Sequence, residues 1–448
     1  MKKVLIALVV LLFAVSVYAE SRLDLSGQLR VRGRSYDNFG DWGASNGFND
    51  DTDTDERDYF DQRLRIYGNI NVSEDVTVHL RFDFAEETWG TQGTHSNDGD
   101  IDQDRAYIEI DKDMYNFKAG RQYFGLGNSI AVDSNDVGFQ ATLKLPVAVT
   151  LGYVKASEGG STADEDENGD DLKDTNMYLA NLGYKAEIAN FNLFGAYADV
   201  GESVSDDYSL NRGIDYNGVD LSFKDGDQTL IGLQATAKLG IVNINAEYNY
   251  FTGTLNEGIV NGSSTGDLDI VGNQFYVDGN ANLGMVKVGA ELFYAMGTDE
   301  EDEIQTPMML PSYVQKWDGF LPMGGFADSD IMDVAFGYQS AWMLAPNAGS
   351  MGAVPYVEFS PIDKLTLGAN VGYFEPQEDS VTNLNSVMVA VLTADYKLYD
   401  NVGIKGQYAY ASPDVDSPDA NGPQDFYDAG EKTDDNAQGF FGKLYVNF

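Results

Sequence analysis

Most of this chain alternates apolar and polar residues with a period of two, over segments of about ten residues. In RLDLSGQLRVRGR, at 22–34, Leu29 and Val31 fall on one face. Arg30 and Arg32 fall on the other. The segments FDQRLRIYGNINV and VTVHLRFDF repeat the pattern. Such alternation marks β-strands with one apolar and one polar face, so the chain is predicted to be all-β.

The connections between these segments are short and long in turn. Short turns are predicted near 73–75, 112–114, 146–147, 187–190, 240–241, 284–285, 361–363 and 400–401. Long loops are predicted near 35–58, 86–103, 125–137, 158–175, 201–227, 253–271, 299–351, 375–384 and 413–435. These connections separate about 18 strands, an even number typical of single-chain bacterial barrels. We therefore expect a transmembrane antiparallel β-barrel with short periplasmic turns and long extracellular loops.

Composition agrees with a barrel embedded in the bacterial outer membrane. The 27 Tyr and 24 Phe suit aromatic girdles at two membrane interfaces, and the chain has no Cys. Residues 1–19 pair Lys2 and Lys3 with an apolar run, which predicts a cleaved signal peptide. Residues 20–448 would then form the barrel, surrounded by lipid and lipopolysaccharide.

The end of the sequence reads GFFGKLYVNF and again alternates. An alternating strand that stops on an aromatic residue, here Phe448, resembles the signal by which outer-membrane barrels engage their assembly machinery. We expect Phe448 to serve in that way.

Arginines concentrate on a few strands, although the chain has a formal net charge of −44. Facing lipid near the midplane, each would cost about 2–4 kcal/mol, so the alternation predicts that they face a wet lumen. We call the following residues the ladder: Arg30, Arg32, Arg63, Arg65, Arg81 and Arg105.

Two interpretations of the ladder stay open. Asp61, Asp83 and Glu109 share its predicted faces and could pair with the arginines, which would make it a structural support. Alternatively, the ladder guides anions, because guanidinium groups suit bidentate contacts with carboxylates and phosphates. The acidic residues cluster in predicted loops, where screening over about 8 Å limits their influence on the lumen.

One acidic loop matches part of a calcium-binding pattern. In DEDENGDD, Asp164, Asp166 and Asn168 occupy the first, third and fifth positions, and Gly169 the sixth. Thr175 stands at the twelfth position, where a bidentate Glu belongs. A calcium site and a solvated acidic tip are both considered.

Residues 106–145 begin AYIEIDKDMYNFKAGRQYFGLGNS. A strand with this start, a short turn and a strand ending Gly-Arg-Gln resemble bacterial porins, and the glycine-bearing stretch resembles the alginate-export-like, 18-stranded porins. The resemblance implies functional positions at Tyr107, Glu109, Arg121 and Gln122.

The predicted function is passive diffusion of small hydrophilic solutes, including anions, without catalysis, cofactor or nucleic-acid binding. The chain carries only His79 and His95, too few for the histidine dyads or triads of barrel enzymes. Two alternatives remain: a barrel that sheathes a cytochrome, and a polysaccharide export channel. Assembly into a homo-oligomer is left open.

The segment 299–351 is the longest predicted loop. After DEEDE it turns apolar, in MMLPSYVQKWDGFLPMGGF. Exposure of that surface to water is unfavourable by about 25 cal/mol per Å². We therefore expect this loop to fold inward and narrow the pore.

Overall fold

The structure is a computed structural model that describes most of the predicted strands. The described residues are 22–37, 57–89, 101–157, 174–201, 221–222, 224–260, 263–297, 303–305, 349–378, 384–415 and 436–448. No helix in these ranges is long and apolar enough to cross a membrane.

The described chain forms one closed antiparallel barrel. Eighteen long strands pair with their neighbours in chain order, and the first strand pairs with both the second and the last. The predicted fold class and strand number are confirmed. The first strands are β1 (Leu23–Asp37), β2 (Arg57–Asn71), β3 (Val76–Thr88), β4 (Asp102–Asp111), β5 (Tyr115–Gly125), β6 (Asp133–Leu143), β7 (Val147–Ser157), β8 (Thr175–Lys185) and β9 (Ala189–Val200).

Two further elements are very short and add to the edges of longer strands. Leu221 pairs with Val260 of the neighbouring hairpin, and Asp269 of the same hairpin pairs with Glu303. The remaining elements are β10 (Leu221–Ser222), β11 (Asp225–Leu239), β12 (Val242–Val260), β13 (Ser263–Leu283), β14 (Val286–Ala295), β15 (Glu303–Gln305), β16 (Ser350–Ile362), β17 (Leu365–Glu375), β18 (Leu384–Tyr399), β19 (Val402–Val415) and β20 (Ala437–Asn447).

The two faces of the wall differ as the alternation predicts. Large apolar side chains point outward and stay exposed, for example Leu151 at 59% and Leu392 at 58%. Polar side chains such as Gln234, Glu247 and Asn249 are buried on the inner face. This arrangement suits a barrel whose outer face contacts lipid.

All eight predicted short turns lie between paired strands, within two residues of the predicted positions. Gly240 and Gly284 stand in two-residue turns with φ of 67° and 75°, a conformation that glycine adopts without steric cost. We call this end of the barrel the turn end, and the opposite end the loop end.

Two predicted long loops are wrong in extent. Most of 253–271 continues the β12–β13 hairpin, with Leu255 opposite Leu268. Residues 253–271 are rich in Gly, Asn, Thr and Asp, a composition typical of loops. The backbone of the two strands is nevertheless paired through most of this range. The predicted loop 125–137 is also shorter, because β6 already begins at Asp133.

The first and last strands close the barrel near the turn end. Gly27 and Phe448 exchange two backbone hydrogen bonds, of 2.7 and 3.0 Å. The Phe448 ring lies against Gly27, where an added Cβ would come within 2.6 Å of the ring. A side chain at position 27 would therefore collide with the last residue of the chain.

Candidate functional site

Strand register brings the ladder together on the inner face of β1–β4. Arg30 lies directly opposite Arg63, and Arg81 lies opposite Arg105. Arg32 is only 6% exposed. The ladder thus forms one patch on one wall of the barrel.

Aspartates pair with the ladder at the positions that the alternation predicts. Arg32 Nε lies 2.6 Å from Asp61 Oδ1, and Arg34 Nε lies 2.9 Å from Asp61 Oδ2. Arg65 contacts Asp83 through both carboxylate oxygens, at 2.5 and 2.6 Å. Bidentate pairs of this kind fix the guanidinium plane. Part of the ladder is therefore held rigidly.

A further aspartate, Asp104, pairs with the ladder but was not predicted. It forms an ion pair with Arg81 and lies 4.0 Å from Arg65. Pairing jumps from Arg105 to Gln103 along β4, so Asp104 is the extra residue of a β-bulge. Strict alternation would place adjacent residues 104 and 105 on opposite faces. The bulge brings both to the inner wall.

Two lysines extend the cationic wall across the barrel closure. Lys443 of β20 lies opposite Arg32, and Lys405 of β19 lies opposite Lys443. Lys443 is buried. Both lysines lie at least 300 positions after the ladder in the sequence, so only closure of the barrel reveals that they are close to it.

Glu109 is the exception among the predicted acids. Its carboxylate lies 2.8 Å from His79 Nε2 and 3.6 Å from Lys118 Nζ, and it accepts a hydrogen bond from Asn116. The ring of Tyr107 stacks on His79 at 4.6 Å. The suggested pairing of Glu109 with an arginine of the ladder is therefore not found among the described residues. Glu109 lies closer to the turn end than the arginines do.

The last two positions implied by the resemblance fall on different faces of β5. Arg121 is exposed and lies opposite Val137, which is 52% exposed, so it lies on the outer wall. Its guanidinium donates to the Asp104 backbone oxygen at 3.1 Å. Gln122 is 1% exposed on the inner side and donates to the Gly138 oxygen.

A short connection crosses the barrel interior at 126–132, and we call it the strap. The Asn128 backbone N–H donates to Glu247 Oε2 at 2.5 Å. The side-chain oxygen of Asn128 accepts hydrogen bonds from Gln234 and Asn245. The strap leaves β5 and reaches β11 and β12, with β7, β8 and β9 in between. It therefore narrows the interior.

Glycine is required next to that contact. Gly127 has φ of 58°, and an added Cβ would lie 2.4 Å from Glu247 Oε2. Apolar side chains complete the packing. The strap and the inner wall beside it share one buried cluster: Phe124, Leu126, Ala131, Val132, Val154, Met177, Leu179, Phe194, Ala196, Ala198, Val200, Leu230, Phe251, Leu255, Leu268 and Ile270.

The sequence contains a signal for the strap that was not used to predict it. The stretch LGNSIAV lies inside the predicted extracellular loop 125–137, although Leu, Ile, Ala and Val are poorly suited to a solvated tip. The inward element was instead predicted at 299–351. Of that segment only 303–305 and 349–351 are described, so the prediction lies outside the described residues.

Several other predicted features also lie outside the described residues. They are the signal peptide at 1–19, the calcium-loop residues Asp164, Asp166 and Asn168, and His95. Thr175 begins β8, and its hydroxyl accepts the Gly201 backbone N–H at 3.2 Å. Within the described ranges, no group of three or more His, Asp or Glu side chains could hold a metal ion.

Comparison with solved structures identifies the fold. A BenF-like porin from Pseudomonas fluorescens Pf-5 matches with a TM-score of 0.52 and 11% identity, over 96% of this chain and 99% of that one. OpdK from Pseudomonas aeruginosa, in a structure with vanillate, gives 0.51 and 10%, over 95% and 98%. OccAB2 from Acinetobacter baumannii gives 0.51 and 11%, over 95% and 98%.

These likenesses define the class of protein by its fold. The chain is a closed 18-stranded antiparallel barrel of the kind found in outer-membrane porins. No protein-family model matches the sequence, and no curated protein matches it significantly. Resemblance to the alginate-export-like porins stays a prediction.

Proposed function

We propose that this protein is an outer-membrane porin that passes small hydrophilic solutes by diffusion and favours anions. The observation that carries the proposal is the inner wall of β1–β4, where arginines of the ladder gather beside a lumen narrowed by the strap. The barrel fold, which solved porins share, supports the transport role.

Preference for anions follows from the charge of this wall. Asp61, Asp83 and Asp104 neutralise part of the ladder, and they fix the guanidinium planes. Among the described residues, the arginines of the wall outnumber these aspartates, and Lys405 and Lys443 add further positive charge. An excess of fixed cations in a narrow, water-filled lumen with low-dielectric walls raises the local concentration of anions.

The strap bears on the two alternative functions. A barrel that sheathes a cytochrome must leave its lumen free for a second protein. Here the strap and its apolar cluster occupy the interior beside β7–β13. Export of a polysaccharide likewise needs a continuous wide path, so we favour small solutes.

The proposal also covers the position of the protein in the outer membrane and the insertion of its barrel. The exposed apolar outer face suits lipid and the lipid part of lipopolysaccharide. We infer that β20, with Phe448 directly after it, engages the assembly machinery before it pairs with β1.

The proposal is tested by reconstitution. Purified protein should form stable single channels in planar bilayers, and its liposomes should swell in solutions of small sugars and salts. Vesicles that carry heat-denatured protein serve as the control. A correctly folded barrel that neither conducts salt nor admits small sugars would overturn the proposal.

A further inference from the structure

Beside the ladder, the inner wall of β4–β6 contains a recess of about 230 Å³. This volume is below the roughly 300–1,000 Å³ of sites for drug-sized ligands, so a bound molecule would be small. The side chains that matter here are Arg105, Tyr107, Lys118, Gln122, Tyr123 and Gln140.

Two cationic side chains, Arg105 and Lys118, line the recess. Arg105 is the stronger candidate for anion binding. Arg105 Nε donates to Asn135 at 2.8 Å, and its guanidinium lies 5.1 Å from the centre of the Tyr123 ring. Across the described residues, Arg105 forms no ion pair. Lys118 shares its charge with Glu109 at 3.6 Å. Arg105 thus keeps guanidinium donors for an incoming oxyanion.

Gln122 adds a requirement for a hydrogen-bond donor. Its side chain is 1% exposed, and Nε2 donates to the Gly138 oxygen at 3.2 Å. Its Oε1 atom is buried and has no hydrogen-bond partner. A buried carbonyl oxygen without a hydrogen-bond partner is unfavourable, because it has lost its contact with water. A ligand hydroxyl in the recess would supply the missing donor.

The strap holds one wall of this recess in place. The Tyr123 hydroxyl donates to Ser129 Oγ of the strap at 2.6 Å, and Tyr123 in turn lies against the Arg105 guanidinium. The recess therefore has a rigid wall where the strap meets the ladder. Solutes that follow the ladder would pass it.

We propose that this recess binds a small anion that also carries a hydroxyl group, with Arg105 contacting the anionic group and Gln122 Oε1 accepting the hydroxyl hydrogen. The inference rests on the proposed porin function, because it places the recess along the path of the solute. It adds selection for hydroxylated anions to a general preference for anions.

The test compares three six-carbon probes in planar bilayers. Gluconate carries both charge and hydroxyls, hexanoate only charge, and glucose only hydroxyls. Gluconate should interrupt single-channel current at about fivefold lower concentration than hexanoate, the factor expected for one net hydrogen bond of about 1 kcal/mol. Glucose should be weaker than gluconate, because it offers nothing to Arg105.

Two substitutions and a matched control assign the effect. Gln122→Met should reduce the gluconate block to the level of hexanoate. Arg105→Gln should weaken both anions. Gln274→Met is the control, since Gln274 is also 1% exposed on a barrel strand but does not line the recess. This control should retain the fivefold difference.

Equal block by gluconate and hexanoate in the wild-type channel would overturn the inference, and this comparison needs no variant to fold. Identical behaviour of Gln122→Met and Gln274→Met would also overturn it. A folded wild-type barrel that conducts no salt would instead contradict the porin function. In that case, calorimetric titration of the solubilised barrel would test binding at the recess without conductance. Gluconate should bind more tightly than hexanoate, and equal affinities would overturn the inference.

Discussion

The backbone N–H of Asn128 donates a 2.5 Å hydrogen bond to Oε2 of Glu247, 119 positions later in the chain. Glu247 is buried, and its other oxygen accepts a hydrogen bond from Asn249 at 2.8 Å. A buried carboxylate is costly unless it is satisfied in this way. The contact therefore ties the strap, which leaves β5, to β12 on the facing part of the inner wall.

Releasing the strap should widen the pore. Glu247→Ala removes the acceptor for Asn128, and hydrogen bonds to charged groups contribute about 1.5–3 kcal/mol each. We expect a higher and noisier single-channel conductance. Glu358→Ala is the control, because Glu358 pairs with Lys287 at 3.1 Å on β14 and β16, away from the strap. If both variants conduct like the wild type, the strap does not limit the pore.

Removing a carboxylate from the ladder should strengthen anion preference. Asp104→Asn keeps the size of the side chain and removes the negative charge paired with Arg81. We expect the reversal potential in asymmetric KCl to move toward chloride selectivity, with barrel assembly intact. A shift toward potassium would mean that Asp104 serves only to position Arg81.

Closure of the barrel should be sensitive to the size of residue 27. In Gly27→Val, the new Cβ would meet the Phe448 ring and the Arg65 backbone oxygen, both within 2.7 Å. Overpacking of this kind typically costs about 1–3 kcal/mol. We expect a lower temperature for loss of the folded, heat-modifiable band on gels.

Gly279→Val provides the matched control for that experiment. Gly279 also lies in a barrel strand, but no atom lies within 4 Å of a Cβ built there. The control should melt close to the wild type. If Gly27→Val melts with it, the Gly27–Phe448 contact is not important for closure.

Sequence periodicity was sufficient for the class of fold and the strand number. Alternation reports which face each residue occupies, and turn residues such as Gly240 and Gly284 mark the short connections. It also placed Asp61 and Asp83 on the same face as the ladder, where the structure pairs them with Arg32 and Arg65.

Features that depend on irregular backbone or on closure were missed. The role of Asp104 was not predicted, because a bulge breaks the period of two. The role of Lys443 was not predicted, because only closure of the barrel brings β20 beside β1. The strap was missed because its anchor, Glu247, follows 119 residues later. Loop-like composition hid the β12–β13 hairpin, whose backbone pairing does not depend on residue type.

Insertion should depend on the last residue. Phe448→Ser keeps the backbone hydrogen bonds to Gly27 and removes the aromatic ring. We expect slower insertion and more unfolded precursor, measured by pulse–chase labelling and heat modifiability. Phe440→Ser is the control, since this exposed ring lies on the same strand away from its end. Normal insertion kinetics in Phe448→Ser would remove the proposed role in assembly.

The most direct test of the account is the reversal potential of a ladder variant in asymmetric KCl. Arg30, Arg63 and Arg65 would be changed together to Gln, which leaves the outer wall unaltered. Changing Lys112, Lys144 and Lys224 to Gln removes the same charge from exposed positions at the barrel ends. We predict that the wild type and the lysine variant favour chloride, whereas the ladder variant shifts toward potassium. An unchanged reversal potential in the ladder variant would contradict the claim that these arginines guide anions.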